Sequence, residues 1–147
     1  MTSEFERDLA SSRQALDAAR VELLPVVVAL SDADLGRARR GGWTAGRVLE
    51  HLIQSEWLYA RLVTHLRGQT ATGEIPSGAP SSAAAAAQRL EASRRALLEA
   101  LDGVDEESFY RLGVVGHEEY SILSVLENTA NHDREHAEQL QAILTSA

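Results

Sequence analysis

Residues 121–144, "SILSVLENTANHDREHAEQLQAIL", decide how this chain folds. Ile122, Val125, Leu140 and Ile143 recur at helical spacing, and Thr129 lies between them on the same stripe. That is the period of an amphipathic helix and not of a strand. Ser121 stands where an N-cap is wanted, with Tyr120 and Val125 in the two staple positions around it. Followed along a 3.5-residue seam, the stripe runs Ile122, Val125, Thr129, His132, His136, Gln139 or Leu140, and Ile143. Two histidines four residues apart therefore continue the inward face.

Working outward, glycine and proline divide the chain into four long segments. Residues 4–30 read as a helix with Phe5, Leu9, Leu16, Val21, Leu23, Leu24 and Val27 at its apolar positions, with Pro25 expected to kink or break it and Ser31 to cap a short second piece. "WTAGRVLEHLIQSEWLYARLVTHLRG", 43–68, reads as a second helix, capped by Thr44, stapled by Trp43 and Val48, and stopped by Gly68. The Gly-, Ser-, Thr- and Pro-rich stretch 68–82 must be a loop, and its length predicts a crossover and a part in shaping the pocket mouth. A third helix spans about 83–102, because an alanine run has the highest helix propensity. Residues 103–119 form a second long connection, with "LGVV" at 112–115 the one strand-like pattern. The fold class is all-α: a four-helix bundle with long crossover connections, occupying residues 1–147 as one domain. "WTAGRVLEH" (43–51) and "YSILSVLEN" (120–128) share an aromatic, a hydroxyl and Val-Leu-Glu, which predicts that these two helices enter the bundle alike.

Composition narrows the functional classes. The chain has 147 residues, enough to bury a real core, and no apolar run nears the roughly 20 residues of a membrane span. "MTSEFERDLASS" does not read as a secretory signal, and the absence of cysteine fits a cytoplasmic location. It also removes thiolate nucleophiles and cysteine-ligated zinc. Net charge is −8, all 14 basic residues are arginine, and the only basic cluster, "RARR" at 37–40, reads as a solvated loop. Nucleic-acid and membrane partners are disfavoured, leaving a small-molecule substrate.

His51 in the second helix shares its inward face with Leu52 and Leu62. Residues i and i+4 of a helix approach within about 6 Å at Cβ, a spread that lets two imidazoles hold one ion. Neutral imidazole suits zinc, nickel, copper or iron. His51, His132 and His136 are thus the candidate metal ligands; a pair alone would equally fit a wet helix face, but a third inward imidazole asks for a reason. His65 lies about 21 Å along the helix from His51 and reads as a helix-end residue, and His117 as a loop residue. Ser55, Asn128, Asp133 and Gln139 border the stripe and are the candidates for orienting the ligands, with simple packing or solvation as the plainer reading. No acidic residue falls on the inward stripe in this phase.

"GGWTAGRVLEHLIQSEWLY" around His51 and "HDREH" at 132–136 resemble the two recognisable blocks of the DinB/YfiT-like family, and the resemblance covers nearly the whole chain. It implies a bundle, often a homodimer, with a divalent metal on three histidines, which here are His51, His132 and His136. Similar members include transferases that use low-molecular-weight thiols, a thiol-dependent isomerase, metal-dependent hydrolases and stress-induced proteins of no assigned reaction. With zinc or nickel as the metal, the reading is a thiol S-transferase that takes its thiol as a cofactor. A hydrolase is the near alternative, wanting a general base that the stripe does not offer; a non-catalytic stress-response metal binder is the second reading, and a plain bundle with hydrogen-bonded core histidines the third.

Overall fold

Each long helix opens on a hydroxyl that accepts from the backbone N–H three residues ahead. Ser3 caps α1 (Glu4–Val28), Thr44 caps α2 (Ala45–Leu66) and Ser82 caps α3 (Ala83–Leu101). Asp105 caps the one-turn α4 (Glu106–Tyr110), and Ser121 caps α5 (Ile122–Thr145). These bonds satisfy donors that a helix start leaves orphaned. The computed structural model describes residues 1–146, and none of its helices is long and apolar enough to cross a membrane.

Three local expectations change. Pro25 does not break α1, which continues to Val28. The carbonyl its ring deprives of a partner belongs to Val21, whose side chain is 70% exposed, so the loss falls on the wet face near the helix end. Ser31 exchanges bonds with Asp34 across the turn that leads into the 3-10 turn Asp34–Gly36, whose N-cap position is Ala33 and carries no side-chain bond. The connection 103–119 holds more structure than its sequence advertises: α4, then an antiparallel hairpin of β1 (Gly113–Val115) and β2 (Glu118–Tyr120) turning at Gly116 and His117. Phe109 anchors it, fully buried and edge-on to Phe5 at 5.3 Å.

Side-chain bonds fix the helix directions. Arg20 reaches the Leu90 carbonyl and Arg94 reaches that of Leu16, so α1 and α3 are antiparallel. Glu56 meets Arg94, while Arg67 at the far end of α2 meets the carbonyls of Ala100 and Asp102, so α2 and α3 are parallel. Leu16 shares a cluster with Leu126 and Val27 shares one with Ile143, which makes α1 and α5 parallel. Leu66 pairs with Ile122's end of the core and Val48 with Ile143's, which makes α2 and α5 antiparallel. Around the bundle α5 packs between α1 and α2, α3 packs on α2, and the α1–α3 seam is the thinnest. Residues 67–82 return along the bundle between parallel neighbours, the crossover that their length predicts. They lie over α2 and α3, held by Arg61 on the Gly73 carbonyl and by Arg89 on that of Gly78 at 2.8 Å. Thr70, Ala71, Thr72 and Glu74 of this loop line a hollow with Trp57, Arg61 and Thr64 of α2.

The core has three tiers. One apolar cluster, around Leu16, Leu66, Leu97, Phe109 and Ile122, fills one end. Another, around Leu23, Val48, Ile53, Leu90 and Leu140, fills the other. Between them lie four buried charges, Arg20, Glu56, Arg94 and Asp133, one from each long helix.

Candidate metal centre

His51 sits two turns into α2 and His132 and His136 sit midway along α5, and the antiparallel pairing of these helices brings the three to one level. His51 Nε2 lies 3.1 Å from His132 Nε2, which lies 2.9 Å from His136 Nε2. One nitrogen from each of the three falls within 4.8 Å of the other two, and all three side chains are half-buried. Their rings stand edge to face, 4.3–5.1 Å apart at the centroids.

The phase of the helices differs from the seam reading. The deepest face of α5 runs through Val125, Leu126, Thr129, Ala130, Asp133, Ala137 and Leu140. That of α2 runs through Leu49, Leu52, Ile53, Glu56, Ala60 and Val63. The histidines therefore flank the core at the α2–α5 seam, reachable from outside, and the acids occupy the centre. Asp133, expected at the edge in solvent, is 1% exposed and binds Arg20 Nε at 2.9 Å and Arg94 at 3.1 Å. Glu56, 3% exposed, binds Arg20 at 2.9 Å, Arg94 at 2.7 Å and the Ser93 hydroxyl at 2.5 Å. Burial pushes the Glu56 carboxyl up, but the two guanidiniums and Ser93 outweigh it and hold the group below the usual carboxylate range. Four charges at core phase in four helices, two of each sign, was the sequence signal for this network.

Of the four polar residues bordering the stripe, Gln139 contacts the cluster: its Oε1 lies 2.7 Å from His136 Nδ1. An oxygen accepts, so Nδ1 carries the proton and Nε2 presents its lone pair to the cluster. Ser55 is half-buried and Asn128 exposed, and neither bonds an imidazole. Two aromatic residues complete the surroundings. Trp43 stands edge-on to His51 at 5.3 Å, with Arg47 over its face at 4.5 Å, and Tyr59 stands edge-on to His132 at 6.0 Å.

Burial and the neighbouring imidazole of His136 lower the His51 pKa. Burial, His136 and His51 together drive His132 down to about 4, against a weaker opposing pull from Glu56. Three imidazoles with converging nitrogens form a donor set in want of a cation. A His132 Nε2 facing two other nitrogens has at most one proton to share between them. Ligand nitrogens on an ion with bonds of about 2.0–2.1 Å stand about 3.0–3.4 Å apart, close to the spacings found here, so the residues fit a divalent metal.

The comparisons with known proteins agree with this architecture. TT2238, described as a four-helix bundle protein, shares 26% identity at a TM-score of 0.69, with 90% of this chain and 96% of that one covered. A DinB-like protein from Bacillus cereus ATCC 10987 shares 21% identity at a TM-score of 0.68, covering 93% and 88%, a likeness of fold. No curated protein matches the chain. The DinB superfamily model matches residues 15–140, which cover α2 and α3 entirely, most of α1 and α5, and the three histidines, and the chain belongs to that superfamily.

Proposed function

We propose that His51, His132 and His136 hold one divalent cation, zinc or nickel, and that the protein is a metal-dependent S-transferase for a low-molecular-weight thiol. The observation that carries this reading is the convergence of three Nε2 atoms from two helices on one point at the bundle's flank. A bound cation with open coordination positions supplies Lewis acidity, lowering the pKa of a thiol or water brought to it.

The chain's own residues set the conditions. Gln139 locks the His136 tautomer that points a lone pair at the cluster. Trp43 and Tyr59 cover the edges of His51 and His132 and narrow access for water. The chain has no cysteine, so the sulfur nucleophile comes with the substrate. Thiol transfer is favoured over hydrolysis because the two buried acids, Glu56 and Asp133, are both committed to arginines and are not free to take a proton from water.

Elemental analysis and turnover test the proposal. Purified protein is expected to carry about one zinc or nickel per chain, and His51→Ala or His132→Ala to lose it. Metal-loaded protein should couple a small thiol to a model electrophile, with His132→Ala abolishing the reaction. Full metal retention in both variants overturns the ligand set; metal bound with no turnover leaves a passive binder.

A further inference from the structure

The stretch "RARRGGW", 37–43, is more than a solvated loop. It forms a tight turn in which the Gly42 N–H donates to the Arg39 carbonyl at 2.8 Å, and Gly41 takes a φ of 75° that only glycine adopts without strain. The base of the turn is closed by the Ala38–Thr44 bridge and by the Ala45 N–H on the Arg37 carbonyl at 2.9 Å. Arg37 itself is spent on Asp34 and on the carbonyls of Leu144 and Ser146, which ties the turn to the end of α5. Arg39 and Arg40 are left exposed with no acidic partner among the described residues. With Trp43 and Gln139 they line an open hollow of about 550 Å³. None of its lining residues is acidic, in a chain with 22 acids against 14 arginines, so the local sign is opposite to that of the whole. Two of its walls are shared with the histidine cluster: Trp43 leans on His51, and Gln139 bonds His136.

From this juxtaposition we propose that the hollow receives the anionic part of a small molecule, a carboxylate or phosphate, whose reacting group lies at the histidines. The proposal rests on the metal-centre reading for the second half of that statement. Guanidinium pairs with either anion through two parallel N–H donors. The pinned turn fixes the backbone that carries Arg39 and Arg40 before the ligand arrives, so binding has only their side chains to order. Trp43, its face already occupied by Arg47, supplies an apolar wall between the anion's subsite and the imidazoles.

Two titrations test it and separate it from the metal reading. In the first, metal-free protein is titrated calorimetrically with succinate and with inorganic phosphate. Wild type is expected to bind at least one of them, Arg39→Gln/Arg40→Gln to bind it about tenfold more weakly, and Arg13→Gln, far from the hollow, to match wild type. The stronger of the two probes identifies the anion class. In the second, zinc-loaded protein is titrated with 3-mercaptopropionate and with uncharged 2-mercaptoethanol. The wild type should prefer the carboxylate-bearing thiol about tenfold, and the double variant should lose that preference while keeping its zinc. No anion binding in wild type, or binding undiminished in the double variant, overturns the inference even if zinc is retained. Zinc failing to bind while the succinate or phosphate arm holds overturns the metal reading alone and still supports the anion subsite.

Discussion

At the residue scale the centre depends on protonation. His132 is held near 4 in the folded chain, below the 6.5 expected of it unfolded, chiefly by burial. Below pH 6.5 the unfolded chain therefore takes up a proton that the folded chain refuses. The stability that neutral His132 contributes is whole above that value and drains away as pH falls toward 4. Metal-free protein is expected to show a Tm that declines across this window, and His132→Gln to flatten the decline; identical slopes in melts with a chelator present would remove His132 as the cause. The Gln139 carbonyl acts on the same cluster from behind. Gln139→Ala should weaken zinc binding by about 10–100-fold, read by competition with a chelating dye, because His136 loses the partner that fixes its ring. The Gln139 contact was legible in the chain, since position i+3 after a helical histidine is a neighbour. The Trp43 contact was not, because its aromatic residue lies before the helix and reaches back over a turn that no periodicity describes.

At the element scale, the four long helices are written locally. Each starts at a hydroxyl cap and carries apolar residues at helical spacing, and both signals act within four residues of the chain. The connection 103–119 is different. α4 is five residues long and its hairpin strands three each, too short for a period to declare itself. They are held by packing: Phe109 enters the apolar cluster around Leu16, Leu66 and Ile122, and Gly113 approaches Leu66 so closely that a Cβ there would stand 2.6 Å from Leu66 Cδ2. Phe109→Ala should cost about 3–5 kcal/mol in urea unfolding, by the cavity it leaves. An unchanged midpoint would mean that α4 is not part of the cooperative unit. Gly113→Ala forces the end of a flexible side chain to move and should cost less than Phe109→Ala in the same assay.

At the scale of the whole molecule, the middle tier ties all four long helices together. Arg20, Glu56, Arg94 and Asp133 sum to zero charge and satisfy one another at 2.7–3.3 Å. Removing one member strands a buried opposite charge, so Asp133→Asn should destabilise the fold by about 3–5 kcal/mol. Replacing all four together with apolar residues of similar volume should be close to neutral, since the desolvation cost disappears with the charges. A four-way variant as unstable as the single one in denaturant melts would show that this network is worth more than an apolar tier.

By itself the sequence determined the number and extent of the long helices, their caps, the crossover at 68–82 and the three histidines as a set, because caps and periodicity are carried by residues within one turn of each other. Only the tertiary structure decided which way each helix faces. Ala130 and Ala137 weigh little in an apolar count, so the stripe on α5 reads almost equally well when turned by one residue. Packing against α1 and α2 chose the turn that sends Asp133 to two arginines from distant segments. That rotation leaves His132 and His136 at the flank, where they meet His51 within reach of a substrate.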